Sequence, residues 1–247
     1  MVMKKSLLIT VAVALVAALQ SCNVVTDENK DASQNTKHFN ICLIIDGTDR
    51  LSNQNGIPRI TNADIENLAR AVVTYGKGSL YVSYIDNDCD NNKIAVFSFD
   101  YPKPVSPGPK KDYQTVKDYD TIKNNYRQQQ DAYNNYIKGA VDQFSSDCSL
   151  VTDLAYSNYV AKQKNGSDVN GALNQASRLL SASRKNGAKS FIILVSDGCD
   201  NVGKELKELP ENTELLIVNT NVSKHNYNNM LTREFVTLNQ ASNYIFK

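Results

Sequence analysis

Histidine is nearly missing from this chain: His38 and His225 are the only two among 247 residues. That leaves no Ser/His/Asp or Cys/His set for nucleophilic catalysis. None of the five cysteines forms a CxxC pair, so the ligand spacing of a zinc site is missing as well. No excess of base exists either, with 27 Lys and Arg against 26 Asp and Glu. A chain so close to neutral offers no broad basic surface, which argues against nucleic acid as its partner. Proline is scarce outside one segment, which holds four of the six (101–109). No internal repeat emerges.

The longest apolar run, Leu7–Leu19 (LLITVAVALVAAL), is broken only by Thr10. It falls short of the ~20 residues that cross a hydrocarbon core as a helix. With Lys4 and Lys5 ahead of it, the run has the proportions of a signal-peptide core. It ends in Leu19-Gln20-Ser21-Cys22, which resembles the lipobox of bacterial lipoproteins, and the Leu-x-Ser-Cys ending is similar to those of Bacteroidetes. The resemblance implies cleavage before Cys22, lipid (palmitate among its chains) on that cysteine, and attachment to a membrane of the cell envelope. Asn23 is not the Asp that favours inner-membrane retention, so the outer membrane is expected, with the face left open. Residues 1–21 then read as signal peptide and residues 22–37 as a flexible tether. The tether is polar and acidic and has no apolar periodicity. Loss of Lys4 and Lys5 leaves 25 bases against 26 acids.

The remaining 210 residues, 38–247, are enough for one sizeable core. His38–Ile45 and Ser190–Val195 are apolar on both faces near their ends, which suits central strands of a covered parallel sheet. Thr61 with Asp64 opens a helix whose apolar face is Ile65, Leu68, Val72 and Tyr75, closed by Gly76 and Gly78. Ser79–Ile85 and Lys93–Phe99 read as a hairpin around the acidic turn DNDCDNN, with its register open. After the proline-rich crossing, the pattern predicts one long helix from Asp112 to about Phe144, dense in tyrosine. Ser167 or Asp168 caps the next helix, whose inner face is Val169, Ala172, Leu173, Ala176 and Leu180. Leu215–Val218 and Phe235–Leu238 read as further strands, and Asn239–Phe246 as a closing helix. Strands alternating with helices predict a doubly wound α/β domain with a mostly parallel central sheet, interrupted by an insertion over 101–165. Cys42 reads as a buried small hydrophobe. Pairing Cys89 with Cys148 is one disulfide open to the others.

Two central strands end in aspartate, Asp46 and Asp197, and ligand sites in open α/β sheets form at the carboxyl ends of strands. Thr48 and Ser167 add hydroxyls. Oxygen donors without His or Cys suit Mg²⁺ or Mn²⁺. At these residues the chain resembles a von Willebrand factor A-like domain. The first motif of that family's adhesion site, Asp-x-Ser-x-Ser, appears as Asp46-Gly47-Thr48-Asp49-Arg50. Its second-loop threonine matches Ser167 in GSDVNGAL, and its apolar strand followed by Ser-Asp-Gly matches FIILVSDG. The resemblance implies metal ligation by Asp46, Thr48, Ser167 and Asp197. Arg50 stands where the family has a second hydroxyl ligand. Its guanidinium beside the site repels a cation unless it swings outward, leaving Asp49 and Asp168 as acids behind the ligands.

Three functions compete. In the first, a binding module, the bound metal accepts a carboxylate from a protein partner. The second is a metal-free scaffold that binds through the tyrosine-rich helix. A phosphatase with Asp46 as nucleophile is the third, and it lacks the second aspartate expected at Thr48. The sequence therefore favours a non-enzyme.

Overall fold

Seven consecutive residues of the first strand, Phe39–Ile45, are buried, because helices cover the sheet on both faces. The computed structural model describes residues 37–47, 56–112, 114–157, 166–183, 188–220 and 232–247, all within one unit, Thr36–Lys247. Strand β1 (Lys37–Ile45) is followed by helix α1 (Asn62–Tyr75), β2 (Gly76–Tyr84), a 3₁₀ turn at Cys89–Asn91, β3 (Ala95–Phe99) and the long α2 (Val116–Ser157). Then come α3 (Val169–Ala182), β4 (Lys189–Val195), β5 (Thr213–Val218), β6 (Thr232–Phe235) and α4 (Leu238–Ile245).

The six strands form one sheet in the order β3-β2-β1-β4-β5-β6. Strand β1 runs parallel to both neighbours, with Ile41 opposite Leu80 on one side and Phe191 on the other. The β4–β5 and β5–β6 pairs are parallel too, and β3 alone is antiparallel, set from Gly78↔Phe99 to Val82↔Ala95. This is a mixed α/β fold with a mostly parallel sheet, as the alternation of strands and helices predicts.

Side chains alternate across the sheet and so build two cores. Phe39, Ile41, Leu43 and Ile45 meet α1, α2 and α4 on one face. Cys42 and Ile44 meet α3 on the other, through Val169, Ala172, Leu173, Ala176 and Leu180. Burying each large aliphatic residue contributes ~1.5–3 kcal/mol, and Ile41, Leu43, Ile44 and Leu173 are all fully enclosed. The same alternation settles the register of β3: Ala95, Phe97 and Phe99 turn inward, while Val96 and Ser98 face outward.

The predicted boundaries moved where tertiary contacts outweigh local pattern. Helix α2 continues past Phe144 to Ser157, since Cys148, Val151 and Ala155 prolong the buried stripe of Tyr133, Val141 and Phe144. It starts later than Asp112, at the point where the Thr115 hydroxyl accepts the Asp118 N–H at 3.1 Å. Gly76 caps α1 and begins β2 with no loop between them. Tyr75 is not on the buried face: it is 56% exposed and stacks on Phe246 at 5.5 Å. Strand β6 ends at Phe235, because Thr237 caps α4 by accepting the Gln240 N–H.

Two tyrosines of α2 are packing groups. Tyr133 is buried against Phe99 and Tyr101, and Tyr136 stacks on Tyr101 at 4.7 Å. The first seventeen residues of α2, 116–132, include none that is buried. That length of helix measures about 25 Å. Cys89 and Cys148 do not pair, since they sit in separate cores on opposite faces of the sheet. Cys42, Cys89, Cys148 and Cys199 are all free thiols, and burial pushes the first three up to about 12.

Candidate functional site

From β1 the chain winds outward through β2 and β3, and from β4 it winds the opposite way through β5 and β6. The order reverses between β1 and β4, and open sheets of this kind hold their ligands beyond the carboxyl ends of the strands at such a point. Asp46 is the first residue past β1. Its N–H donates to the Val195 carbonyl at 2.9 Å, which extends the ladder by one step and fixes the backbone there. Its carboxylate is 3% exposed and accepts the Ser196 hydroxyl at 2.7 Å.

The turn after β4 is held from within. Ser196 Oγ accepts the Gly198 N–H, and Asp197 Oδ1 accepts the Cys199 N–H, both at 2.9 Å. Asp197 is half-buried. Asn219, the first residue past β5, donates its Nδ2 to the Ser196 carbonyl at 3.1 Å. Asp46, Ser196 and Asn219 thus link the ends of three neighbouring strands. The Cys199 thiol is exposed beside them, and partial burial together with the Asp197 and Asp46 charges pushes it up.

Ser167 joins this loop from another direction. Its N–H donates to Asn201 Oδ1, and the Asn201 N–H donates back to the Ser167 carbonyl at 3.2 Å. Asp168 is turned to a different task. It is fully buried and caps α3 by accepting the Gly171 N–H at 2.9 Å. Its other oxygen accepts the Cys89 N–H at 3.1 Å and the Lys204 ammonium at 2.7 Å.

Lys204 also reaches Asp88 and Asp90, at 2.9 and 3.0 Å, and so clamps the acidic turn between β2 and β3 onto the start of α3. The bond to Asp168, then that to Asp88, pushes the Lys204 ammonium up. Lys204 in turn lowers Asp88 and Asp90, with Arg178 also lowering Asp90.

The structure therefore brings Asp46, Asp197 and Ser167 to one loop cluster, and commits Asp168 to a helix cap. Thr48, Asp49, Arg50 and the lipidation residue Cys22 lie outside the described residues. Among the described residues, no group of three or more His, Cys, Asp or Glu side chains could hold a metal. The constellation has two carboxylates, and its other donors are hydroxyls. Sequence reasoning missed Asn219, Asn201 and Lys204. Asn219 carried a readable signal, a polar residue directly after the buried strand TELLIV, whereas Lys204 and Asn201 carried none. Compared with known proteins, the chain matches no family model and no curated sequence.

Proposed function

We infer that the chain is a membrane-tethered binding module of the von Willebrand factor A type. Its crevice would hold Mg²⁺ or Mn²⁺ and grip a carboxylate offered by a protein partner. The observation that carries this reading is the hydrogen bond between Asp46 and Ser196, which joins two strand ends at the reversal of the sheet. The donor set fits a hard cation: Asp46 and Asp197 supply carboxylates, Ser167 and Thr48 supply hydroxyls, and no sulfur or imidazole is required. A bound divalent ion would supply an open coordination position for a partner's carboxylate. The protein's part is to hold Asp46 and Ser167 rigidly, through Ser196 and Asn201.

Titration calorimetry of the intact protein with Mg²⁺ and Mn²⁺ tests this. Saturable heat is expected, with loss of binding in Asp46→Ala and in Asp197→Ala. Metal at ~100 times Kd should stabilise the fold by ~2.7 kcal/mol. Absence of both heat and stabilisation would defeat the metal reading. The metal-free scaffold would then stand, with the exposed first turns of α2 as the contact surface.

The tether rests on the Lys-rich start, the short apolar run and Leu19-Gln20-Ser21-Cys22. No described helix is long and apolar enough to cross a membrane, and two or more acyl chains give a stable hold without one. Palmitate labelling in a bacterial host should mark the wild-type chain and vanish in Cys22→Ser. Label retained by the variant would refute lipidation at that residue.

A further inference from the structure

A cleft of about 620 Å³ lies between the segment that enters α1 and the last turns of α2. Its lining includes Arg59, Ile60, Asn62, Thr152, Asp153 and Tyr156. The size falls within the ~300–1,000 Å³ of small-molecule sites. The groups at its base are already fixed. Tyr156 Oη accepts the Ile60 N–H at 2.8 Å, and Thr152 Oγ1 donates to Asn62 Oδ1 at 3.1 Å. Asn62 Nδ2 donates onward to Ser149 at 2.6 Å. These bonds tie the two helices together and give the cleft a rigid floor.

Its rim carries one charge of each sign. The Arg59 guanidinium lies over the Tyr156 ring, 5.4 Å from the centroid, which holds a long side chain in place. Asp153 is exposed within the last two turns of α2, where the carbonyl end of the helix adds negative potential. Among the described residues neither Arg59 nor Asp153 belongs to an ion pair. The two line the same cleft without bridging each other.

We propose that this cleft binds a small zwitterion, a free amino acid or short peptide. Arg59 takes its carboxylate, and Asp153 takes its ammonium. A simple anion meets repulsion from Asp153, and a simple cation meets it from Arg59. A neutral ligand strips water from both charges and returns nothing. A molecule carrying both charges a few ångströms apart satisfies each side. None of its groups is among the proposed metal donors Asp46, Thr48, Ser167 and Asp197, although Tyr156 packs beside Gly47, the residue after Asp46.

The test uses the dipeptide Ala-Ala with two blocked relatives, N-acetyl-Ala-Ala and Ala-Ala-amide, titrated into the intact protein and followed by calorimetry. The free dipeptide is expected to bind with Kd on the order of 1 mM. Each blocked form should bind at least about tenfold more weakly, the usual scale of losing a bond to a charged group. Arg59→Ala should lose preference for the free carboxylate but keep preference for the free amine, and Asp153→Asn should do the reverse. Both positions are exposed, so circular dichroism should show unchanged folding. No saturable binding, equal binding of all three peptides, or unchanged preferences in both variants would each overturn the proposal.

Discussion

Replacing Gly78 with alanine will lower the melting temperature by roughly 10 °C, from a loss of ~3–5 kcal/mol. Gly78 lies in β2 between Phe39 of β1 and Phe99 of β3. Its φ is +147°, and an added Cβ would stand 1.7 Å from the Phe39 carbonyl oxygen. That oxygen is backbone of the central strand, so it cannot rotate away as a side chain would. The Phe39 ring is itself wedged edge-on against Phe246 at 4.9 Å. Strain at a positive φ costs ~1–3 kcal/mol, and overpacking a similar amount. Gly139 supplies the control. It sits in α2 with no heavy atom within 4 Å of its would-be Cβ, so Gly139→Ala should gain ~0.5–1 kcal/mol. Thermal melts of the two variants should move in opposite directions. A Gly78→Ala protein that melts with the wild type would contradict the packing of β2 against β1.

The second large effect is expected at Asp168. Asp168→Ala should cost ~3 kcal/mol, read as a lowered urea midpoint with unchanged slope. The helix cap contributes ~0.5–2 kcal/mol of this. The rest comes from the Cys89 N–H, which is buried and would lose its acceptor, a loss of ~1–3 kcal/mol. The Lys204 bond adds little to that figure, because its side chain is 32% exposed and water screens it. Asp168→Asn should fall between the two. Its single oxygen can accept from Gly171 or from Cys89, but not keep both as the carboxylate does. A loss below ~1 kcal/mol in Asp168→Ala would mean that another group satisfies both donors.

These two residues also separate what could be read from the sequence from what could not. The central strands were legible because CLII and FIILV are apolar on both faces, and only a doubly covered strand tolerates that. Helix α3 was legible from its own stripe, and α1 from the Thr61–Asp64 capping box. The aspartates Asp46 and Asp197 could be placed at strand ends by the same logic. Their surroundings could not. The Ser196–Asp46 bond spans 150 positions, and the Lys204 clamp joins Asp88 and Asp168 from loops far apart in the chain. No local periodicity encodes such a contact. Asp168 illustrates both sides: Ser167 or Asp168 could be read as the cap of α3, and Asp168 proves to be that cap, but its bonds to the Cys89 N–H and to Lys204 could not be read. Tyr75 read as core from helical spacing, yet it is exposed and meets the face of Phe246, the residue just past α4.

The position of β1 in the sheet has a consequence for how this chain must fold. Its partner on one side, β2, follows within about forty residues, but Phe39 meets Lys189 across 150. Contacts that distant form late, because a long loop must close before they repay its entropy. At ~5–20 residues per second, a ribosome needs roughly 8–30 s to supply β4 after β1 has been made. Through that interval one apolar edge of β1 stays bare, open to a chaperone or to another nascent chain. The strand that leads into Asp46 is made before the other described strands and is among the last to be enclosed. The bond that ties Asp46 to Ser196 cannot form until the chain has grown 150 residues beyond that aspartate.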